Sequence, residues 1–249
     1  MRRILLSGCN GKMGRMITSC VKDRDDCMIV AGIDISGTVL DAYPVFTSIE
    51  ECSVDADVII DFSHPSALEP LLDFAVKKQL PAVIATTGLS AEQINLIHEK
   101  AKEVPLFFTF NMSLGVNLLA QLAKKAAAVL GNQFDIEIIE MHHNQKIDAP
   151  SGTALMLADA VSSSLESEPQ YIYDRHAIRK KRSKNEIGIH SVRGGTIVGE
   201  HEVVFAGRDE VIKLSHSASS KEVFAVGSIN AALFLCGKNN GLYDMGDLV

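Results

Sequence analysis

Three observations predict an α/β fold. Short runs rich in Ile, Val and Leu alternate with helix-length amphipathic segments along the first part of the chain. The first such run leads into a glycine turn that opens a helix. After about residue 115 the alternation gives way to longer strands separated by glycines. The expected architecture is a Rossmann-like parallel sheet followed by a second α+β domain on an open mixed sheet. The first domain is placed at residues 1–113 and 222–249 and the second at 114–221.

Residues 2–7 read as a strand, Gly8-Cys9-Asn10-Gly11-Lys12-Met13-Gly14 as a turn, and 15–22 as a helix. A second strand, 28–33, ends in Asp34, 26 residues after Gly8. Glycines here let backbone approach a pyrophosphate, the helix N-terminus faces its charge, and the acid closing the second strand accepts ribose hydroxyls. The spacing is Gly-x-x-Gly-x-x-Gly, with Asn10 where the usual fingerprint has its second glycine, so a ligand-free glycine turn stays open as a reading.

The next strand is 58–62, and the helix 66–78 tolerates Pro70 only in its first turn. Strand 82–84 runs into Ala85-Thr86-Thr87-Gly88, and Ser90-x-x-Gln93 reads as a capping box. Strand 105–108 leads to Thr109-Phe110-Asn111-Met112. In a parallel sheet ligands lie outside the carboxyl ends of the strands. That gathers Gly8, Cys9, Asn10, Gly11, Lys12, Met13, Asp34, Ala85, Thr86, Thr87, Thr109, Phe110, Asn111 and Met112 at one crevice. Turn chemistry is the alternative for the Thr and Asn residues.

Beyond it come an Ala-rich helix at 116–130 and an alternating strand at 135–140. Segments 186–192, 195–198, 202–206 and 211–217 read as antiparallel strands, and 221–235 as a final helix before a short tail. An open sheet with an apolar face is expected to be an oligomer surface.

The densest chemistry lies in Glu140-Met141-His142-His143-Asn144-Gln145-Lys146-Ile147-Asp148-Ala149-Pro150-Ser151-Gly152-Thr153-Ala154. Two imidazoles and an ammonium can hold an anion or donate protons, and Ser151 caps an apolar helix whose free N–H groups form a positive dipole end. A small dianion suits such a place. His142 and Lys146 share strand parity, yet a loop must begin between them for Pro150 and the capped helix to follow.

The 249 residues carry a formal net charge of −7, which argues against a nucleic-acid or membrane-surface role. The basic run Arg179-Lys180-Lys181-Arg182 is read as a solvated loop. Five cysteines, Cys9, Cys20, Cys27, Cys52 and Cys236, are scattered without a Cys-x-x-Cys pair, as in a reducing compartment, and no metal site is readable. No signal peptide or membrane span is legible, so a cytoplasmic protein is expected.

Taken together, the glycine turn, Asp61-Phe62-Ser63, Ala85-Thr86-Thr87-Gly88, 111–117, His-His-x-x-Lys-x-Asp-Ala-Pro-Ser-Gly-Thr-Ala, Arg193-Gly194-Gly195-x-x-Val198-Gly199-Glu200-His201 and 216–224 resemble the 4-hydroxy-tetrahydrodipicolinate (dihydrodipicolinate) reductase family. The resemblance runs from residue 3 to the tail. It implies NAD(P)H-dependent reduction of a cyclic dicarboxylate to tetrahydrodipicolinate, with loss of water, on the diaminopimelate route to lysine. It also implies a homotetramer built through the open sheet. By motif, His142 takes the proton-donor position and Lys146 the second catalytic position, while His143, Lys146, Ser151, Gly152 and Thr153 hold the substrate.

Two departures bear on these roles. Lys221 stands where Arg is common, keeping a charge but losing the bidentate fork. Ile35 follows Asp34 where some relatives carry Arg, which tilts the expectation toward NADH, although Lys12 still offers a cation for NADPH. Two other classes are weighed: another nicotinamide-dependent amino-acid or semialdehyde dehydrogenase, and a non-catalytic NAD-sensing regulator. Neither needs His-His-x-x-Lys ahead of Ser-Gly-Thr.

Overall fold

A computed structural model describes residues 1–177 and 179–248. The chain begins with β1 (Arg2–Ser7), α1 (Lys12–Lys22), β2 (Cys27–Ile33), β3 (Val45–Phe46), β4 (Val58–Asp61), α2 (Leu68–Lys78), β5 (Ala82–Ile84), α3 (Ala91–Lys100) and β6 (Pro105–Phe108). It continues through α4 (Leu114–Leu130), β7 (Asp135–His142), α5 (Gly152–Ser162), β8 (Gln170–Ile172), β9 (Glu186–Arg193), β10 (Gly199–Ala206) and β11 (Val211–Ala218). Helix α6 (Glu222–Leu235) and β12 (Gly241–Tyr243) close it. The residues divide into two compact units, Met1–Leu114 with Glu222–Val249, and Gly115–Lys221.

In the first unit seven strands lie in the order β12-β6-β5-β4-β1-β2-β3, and every pairing is parallel. Parallel strands need crossovers, and the crossover helices cover both faces, which is why Ile4, Leu6, Ile59, Ile60, Val83 and Ile84 form near-continuous apolar runs. One face packs with α1 and α6 around Ile4, Leu6, Ile60, Val83 and Ile229, and the other with α2 and α3 around Leu5, Ile59, Leu71, Leu72 and Ile97. Ser90 and Gln93 do form the reciprocal capping box at α3.

In the second unit the order is β11-β10-β7-β9-β8. One face buries Ile136, Ile138, Ile187, Ile189, Val203 and Phe205 against α4 and α5. Along β7 the burial alternates strictly, so Ile136, Ile138, Glu140 and His142 all point to that inner face.

Several expectations are corrected. The first helix starts at Lys12, because Gly11 adopts the extended conformation of an N-cap and the glycine turn ends sooner than its composition suggests. A short 3-10 turn, Pro65–Ala67, precedes α2 in place of a helix from residue 66. Segment 195–198 is a turn, with Gly195 at a φ of +49°, and the strand begins at Gly199. The later strands are only partly antiparallel: β10 runs against β7 and β11, but β9 is parallel to both β7 and β8. The tail contributes β12 to the edge of the parallel sheet. Arg182 is no solvated residue. Its guanidinium meets Asp135 (2.9 Å) and Glu137 (2.9 Å) and donates to the carbonyls of Ile136 and Glu186, tying the loop before β9 to the start of β7. Among the described residues no helix is long and apolar enough to cross a membrane.

Candidate functional site

Two sets of groups stand out, one in each unit. In the first unit the turn after β1 is built for close backbone approach. Gly8 has a φ of +76°, and a Cβ there would stand 2.5 Å from the carbonyl oxygen of Phe62. A Cβ at Gly14 would collide with the carbonyl of Gly8, so this glycine is what lets the first turn of α1 sit down on the loop. Gly11 caps α1 without a side-chain hydrogen bond, leaving the helix entrance to a ligand or solvent.

Asn10, the residue in the second glycine's place, has a structural reason to be there. Its side-chain amide donates to Ser36 Oγ (2.9 Å) and to the Thr38 carbonyl (2.9 Å), lacing the turn to the loop after β2. Asp34 sits between them. Its carboxylate accepts from Asn10 N–H (3.2 Å), Ser36 N–H (3.0 Å) and Ser36 O–H (2.8 Å). Burial pushes its pKa up, but these donors outweigh burial and hold it below the ordinary carboxylate value. The result is a fixed negative charge beside the glycine turn. Ile35 beside it is fully exposed and adds no cation.

Farther along the same strand ends, Thr86 donates to the buried Asp61 (2.6 Å), and the Thr109 hydroxyl pairs with the Asn111 N–H (3.4 Å). Phe110 projects into solvent. Cys9 is a core residue packed beside Gly32 and Tyr43, its thiol pushed up to about 11 by burial, so only its backbone is available to a ligand. Lys12 and Thr87 are exposed and Met13 is half-buried. A glycine turn packed too tightly on the end of β4 for any side chain at Gly8, a helix entrance without a side-chain cap and an acid closing β2 together fit a dinucleotide.

In the second unit the C-terminal end of β7 carries a network on the inner face. Glu140 is completely buried, and its carboxylate takes a bidentate contact from Arg193 (2.7 Å to each oxygen). Oε1 also accepts from Ser151 N–H (3.1 Å), and Oε2 lies 2.6 Å from His142 Nδ1. Burial works to raise the Glu140 pKa, yet Arg193, His142, Ser191 and Ser151 bring it down to about 2. Arg193 reaches Glu140 because β9 pairs parallel to β7 with Arg193 in register with His142. Its Nη2 also donates to the Asp148 carbonyl (2.7 Å), pinning the loop after β7.

His201, on β10 opposite Glu140, is buried with Nε2 at 3.1 Å from Ser151 Oγ and its ring edge-on to His142 at a centroid distance of 5.2 Å. Burial first, and the neighbouring His142 second, lower its pKa to about 4. His142 is lowered as well, by burial, with Glu140 pulling the other way. Lys146 stands in the loop beyond, holding Asp148 through both carboxylate oxygens (2.8 and 2.9 Å). Helix α5 opens at Ser151, whose Oγ accepts from Ala154 N–H (3.2 Å), as the capping residue should.

His142, Lys146, Ser151, Gly152 and Thr153 thus stand at or near one end of the second unit's sheet. The parity question has a clear answer: β7 ends at His142, so Lys146 is a loop residue. The Ser151 N–H is engaged by Glu140 and its hydroxyl by Ala154 and His201, so this residue builds the site from within. Glu140, Arg193 and His201 had no assigned role in the sequence. Strand parity could have flagged Glu140 as a buried acid next to His142; the partners on β9 and β10 depend on pairings that sequence spacing does not show.

A parallel-sheet unit with a glycine turn that fits a dinucleotide, and a second unit bearing a histidine and carboxylate network on an open sheet, suit a nucleotide-dependent oxidoreductase. Residues 2–112 match the family described as dihydrodipicolinate reductase, N-terminus, and residues 115–249 its C-terminus. The chain belongs to the dihydrodipicolinate reductase family. It is 52% identical over 245 residues to the 4-hydroxy-tetrahydrodipicolinate reductase of Clostridium tetani, covering 98% of this chain and 96% of that protein. It is also 52% identical over 249 residues to the enzyme of that name from Caldanaerobacter subterraneus subsp. tengcongensis, covering 100% of this chain and 98% of the other. A solved structure, the dipicolinate-bound dihydrodipicolinate reductase from Paenisporosarcina sp. TG-14, superposes with a TM-score of 0.83 at 26% identity over the whole of both chains.

Proposed function

We propose that this chain catalyses the NAD(P)H-dependent reduction of 4-hydroxy-tetrahydrodipicolinate to tetrahydrodipicolinate, with loss of water, in diaminopimelate and lysine biosynthesis. The observation that carries this reading is the placement of His142 at the end of β7, braced by Glu140 beside the opening of α5, within a family-matched His-His-x-x-Lys to Ser-Gly-Thr run. The residue 1–113 and 222–249 portion serves as the dinucleotide-binding domain, and 114–221 as the substrate-binding and oligomerisation domain.

Gly8, Cys9, Asn10, Gly11, Lys12 and Met13 cradle the pyrophosphate with backbone, Asp34 accepts the ribose hydroxyls, and Ala85, Thr86, Thr87, Thr109, Phe110, Asn111 and Met112 line the remaining strand ends. When bound, the reduced nicotinamide supplies the hydride. The fixed charge of Asp34, with exposed Ile35 in place of a cation, disfavours a 2′-phosphate, so NADH is the preferred donor and Lys12 sustains some use of NADPH.

His143, Lys146, Gly152 and Thr153 hold the two substrate carboxylates, and Ser151 fixes the helix opening that presents the last two. The Gly152 N–H has no acceptor among the described residues and points the start of α5 at an anion. Lys146 exchanges Asp148 for the incoming dianion. Loss of the 4-hydroxyl as water leaves a conjugated ring imine; hydride added at ring position 4 then drives electron density to the ring nitrogen, where His142 as general acid supplies the proton and Lys146 offsets the developing charge. The uncovered face of the second unit's sheet, with half-buried Ile139, Met141 and Val204 among Glu200, Glu202 and Lys213, is the surface through which a homotetramer forms. The setting is the cytoplasm.

The test is a coupled assay in which the preceding synthase generates the unstable substrate in place and nicotinamide absorbance is followed with NADH and with NADPH. Turnover that requires the synthase supports the reading; binding of nucleotide without any turnover would make the chain a sensor instead.

A further inference from the structure

Glu140 is a buried carboxylate that the proposed chemistry does not consume, and its surroundings say what it does. Four donors converge on it: two from Arg193, one from the Ser151 backbone, and one from His142. The Ser191 hydroxyl, opposite it on β9, adds a further donor, and a carboxylate has only about four lone-pair positions in all, so Glu140 has none left for substrate. The Arg193 fork fixes the plane of the carboxylate, and that plane fixes the direction from which the imidazole approaches.

We propose that Glu140, clamped by Arg193, is the positioning residue of the site: it holds the proton of His142 on Nδ1 and so makes Nε2 the nitrogen that exchanges a proton with the substrate. This rests on the assignment of His142 as the general acid. A 2.6 Å contact between an ionised carboxylate and an imidazole nitrogen requires the proton on that nitrogen, and in a neutral ring it leaves Nε2 bare. The other side of the ring agrees. Nε2 has no hydrogen-bond partner among the described residues, and the neighbour it faces is Gly199, where a Cβ would stand 3.2 Å away. A side chain at 199 would crowd the space that a substrate atom must enter.

The charged and titratable groups around His142 are Glu140 on its own strand, Arg193 on β9, His201 on β10 and Lys146 in the following loop, with His216 on β11 opposite His201. Arg193 and Lys146 oppose a charged imidazole and burial opposes it further, so Glu140 is the group that favours the imidazolium. Removing its charge must therefore lower the pH at which His142 loses its proton, and with it the pH range over which the acid works.

Long-range 15N–1H spectra of the wild-type enzyme, recorded above the titration of His142, are expected to show Nδ1 protonated and Nε2 bare. In Glu140→Gln the amide must turn its NH2 toward Arg193 and Ser151 or toward His142, so the wild-type donor pattern is lost. Its kcat is expected to fall about tenfold to a hundredfold, with the basic limb of the pH profile moved to lower pH and nucleotide affinity within about twofold of wild type. Arg193→Lys keeps a charge but not the fork, and should lower kcat with a smaller shift of that limb. The opposite tautomer in the wild type would overturn the proposal whether or not any variant folds. So would a Glu140→Gln enzyme with wild-type kcat and pH profile and only a lower melting temperature, since that is what a purely structural ion pair would give. Both readouts differ from the failure of the activity itself, which would appear as wild-type protein with no turnover.

Discussion

Acid should unfold the second unit earlier than its carboxylates alone would require, and His201 is the reason. This imidazole is 5% exposed, enclosed by His142, His216 and Ser151, and its Nδ1 has no hydrogen-bond partner. Burial holds its pKa at about 4, against an ordinary 6.5 in the unfolded chain. A depressed value means the folded state keeps a neutral ring while the unfolded chain takes up a proton, so the stabilisation is complete above the unfolded value and is lost as pH falls toward the folded one. Integrating that proton difference gives a loss of about 2 kcal/mol by about pH 5, rising to about 3 kcal/mol near about pH 4. The group is too deeply buried for solvent screening to reduce this much. His201→Gln retains a polar contact for Ser151 Oγ and removes the titration. Urea unfolding of both proteins at fixed protein concentration, at about pH 7 and about pH 5, isolates the effect, because shared carboxylates cancel in the double difference. The variant starts less stable and should lose about 2 kcal/mol less over the interval. Parallel stability curves for the two proteins would refute the assignment of the buried neutral imidazole.

Three further outcomes are expected. His142→Gln should lower kcat by about a hundredfold or more with a modest change in KM, and Lys146→Ala should damage both constants; a His142 variant with near wild-type turnover would remove it as the acid. Asp34→Ala should weaken NADH while sparing or improving NADPH, and Lys12→Ala should harm NADPH more, with fluorescence titration of both nucleotides as the check; equal losses in Asp34→Ala would take that carboxylate away from the ribose. Pyridine-2,6-dicarboxylate should inhibit competitively against substrate, and Thr153→Val should weaken it by about 1–3 kcal/mol if that hydroxyl donates to a carboxylate, whereas an inhibition constant unmoved by both Thr153→Val and His143→Ala would place the dianion elsewhere.

The parallel unit was largely legible in the chain because its rules are local. The central strands are buried runs, α3 carries its own capping box, and right-handed crossovers leave little choice of order. The glycine turn and Asp34 could be placed at one crevice on those grounds alone. Asn10 could not be explained, because its partners Ser36 and Thr38 lie past the second strand. The short strands β3, β8 and β12 carry too few residues for a period to declare itself, and they exist by pairing with a neighbour already in place.

The second unit shows where spacing stops informing. Strands 186–193 and 199–206 adjoin through a glycine turn, the ordinary signal of a hairpin, yet each pairs with β7 and not with the other. Inserting β7 between them is what brings Arg193 and His201 to the two sides of the Glu140 and His142 pair. The same pairing turns Arg182 from a surface charge into the clamp on Asp135 and Glu137 at the opposite end of that strand. A charged side chain in a polar run is solvated by default, and only a nonlocal acid within reach changes that. The motif His-His-x-x-Lys therefore announces the reacting groups, while the groups that orient them arrive from strands distant in sequence. Their cost is a buried carboxylate that would be strongly destabilising alone; the Arg193 fork, the Ser151 N–H and His142 together make it tolerable. Loss of any one of these donors should therefore be felt at the others, and a double-mutant cycle between Arg193 and His142 should show coupling of about 0.5–3 kcal/mol, as contacts within one network do.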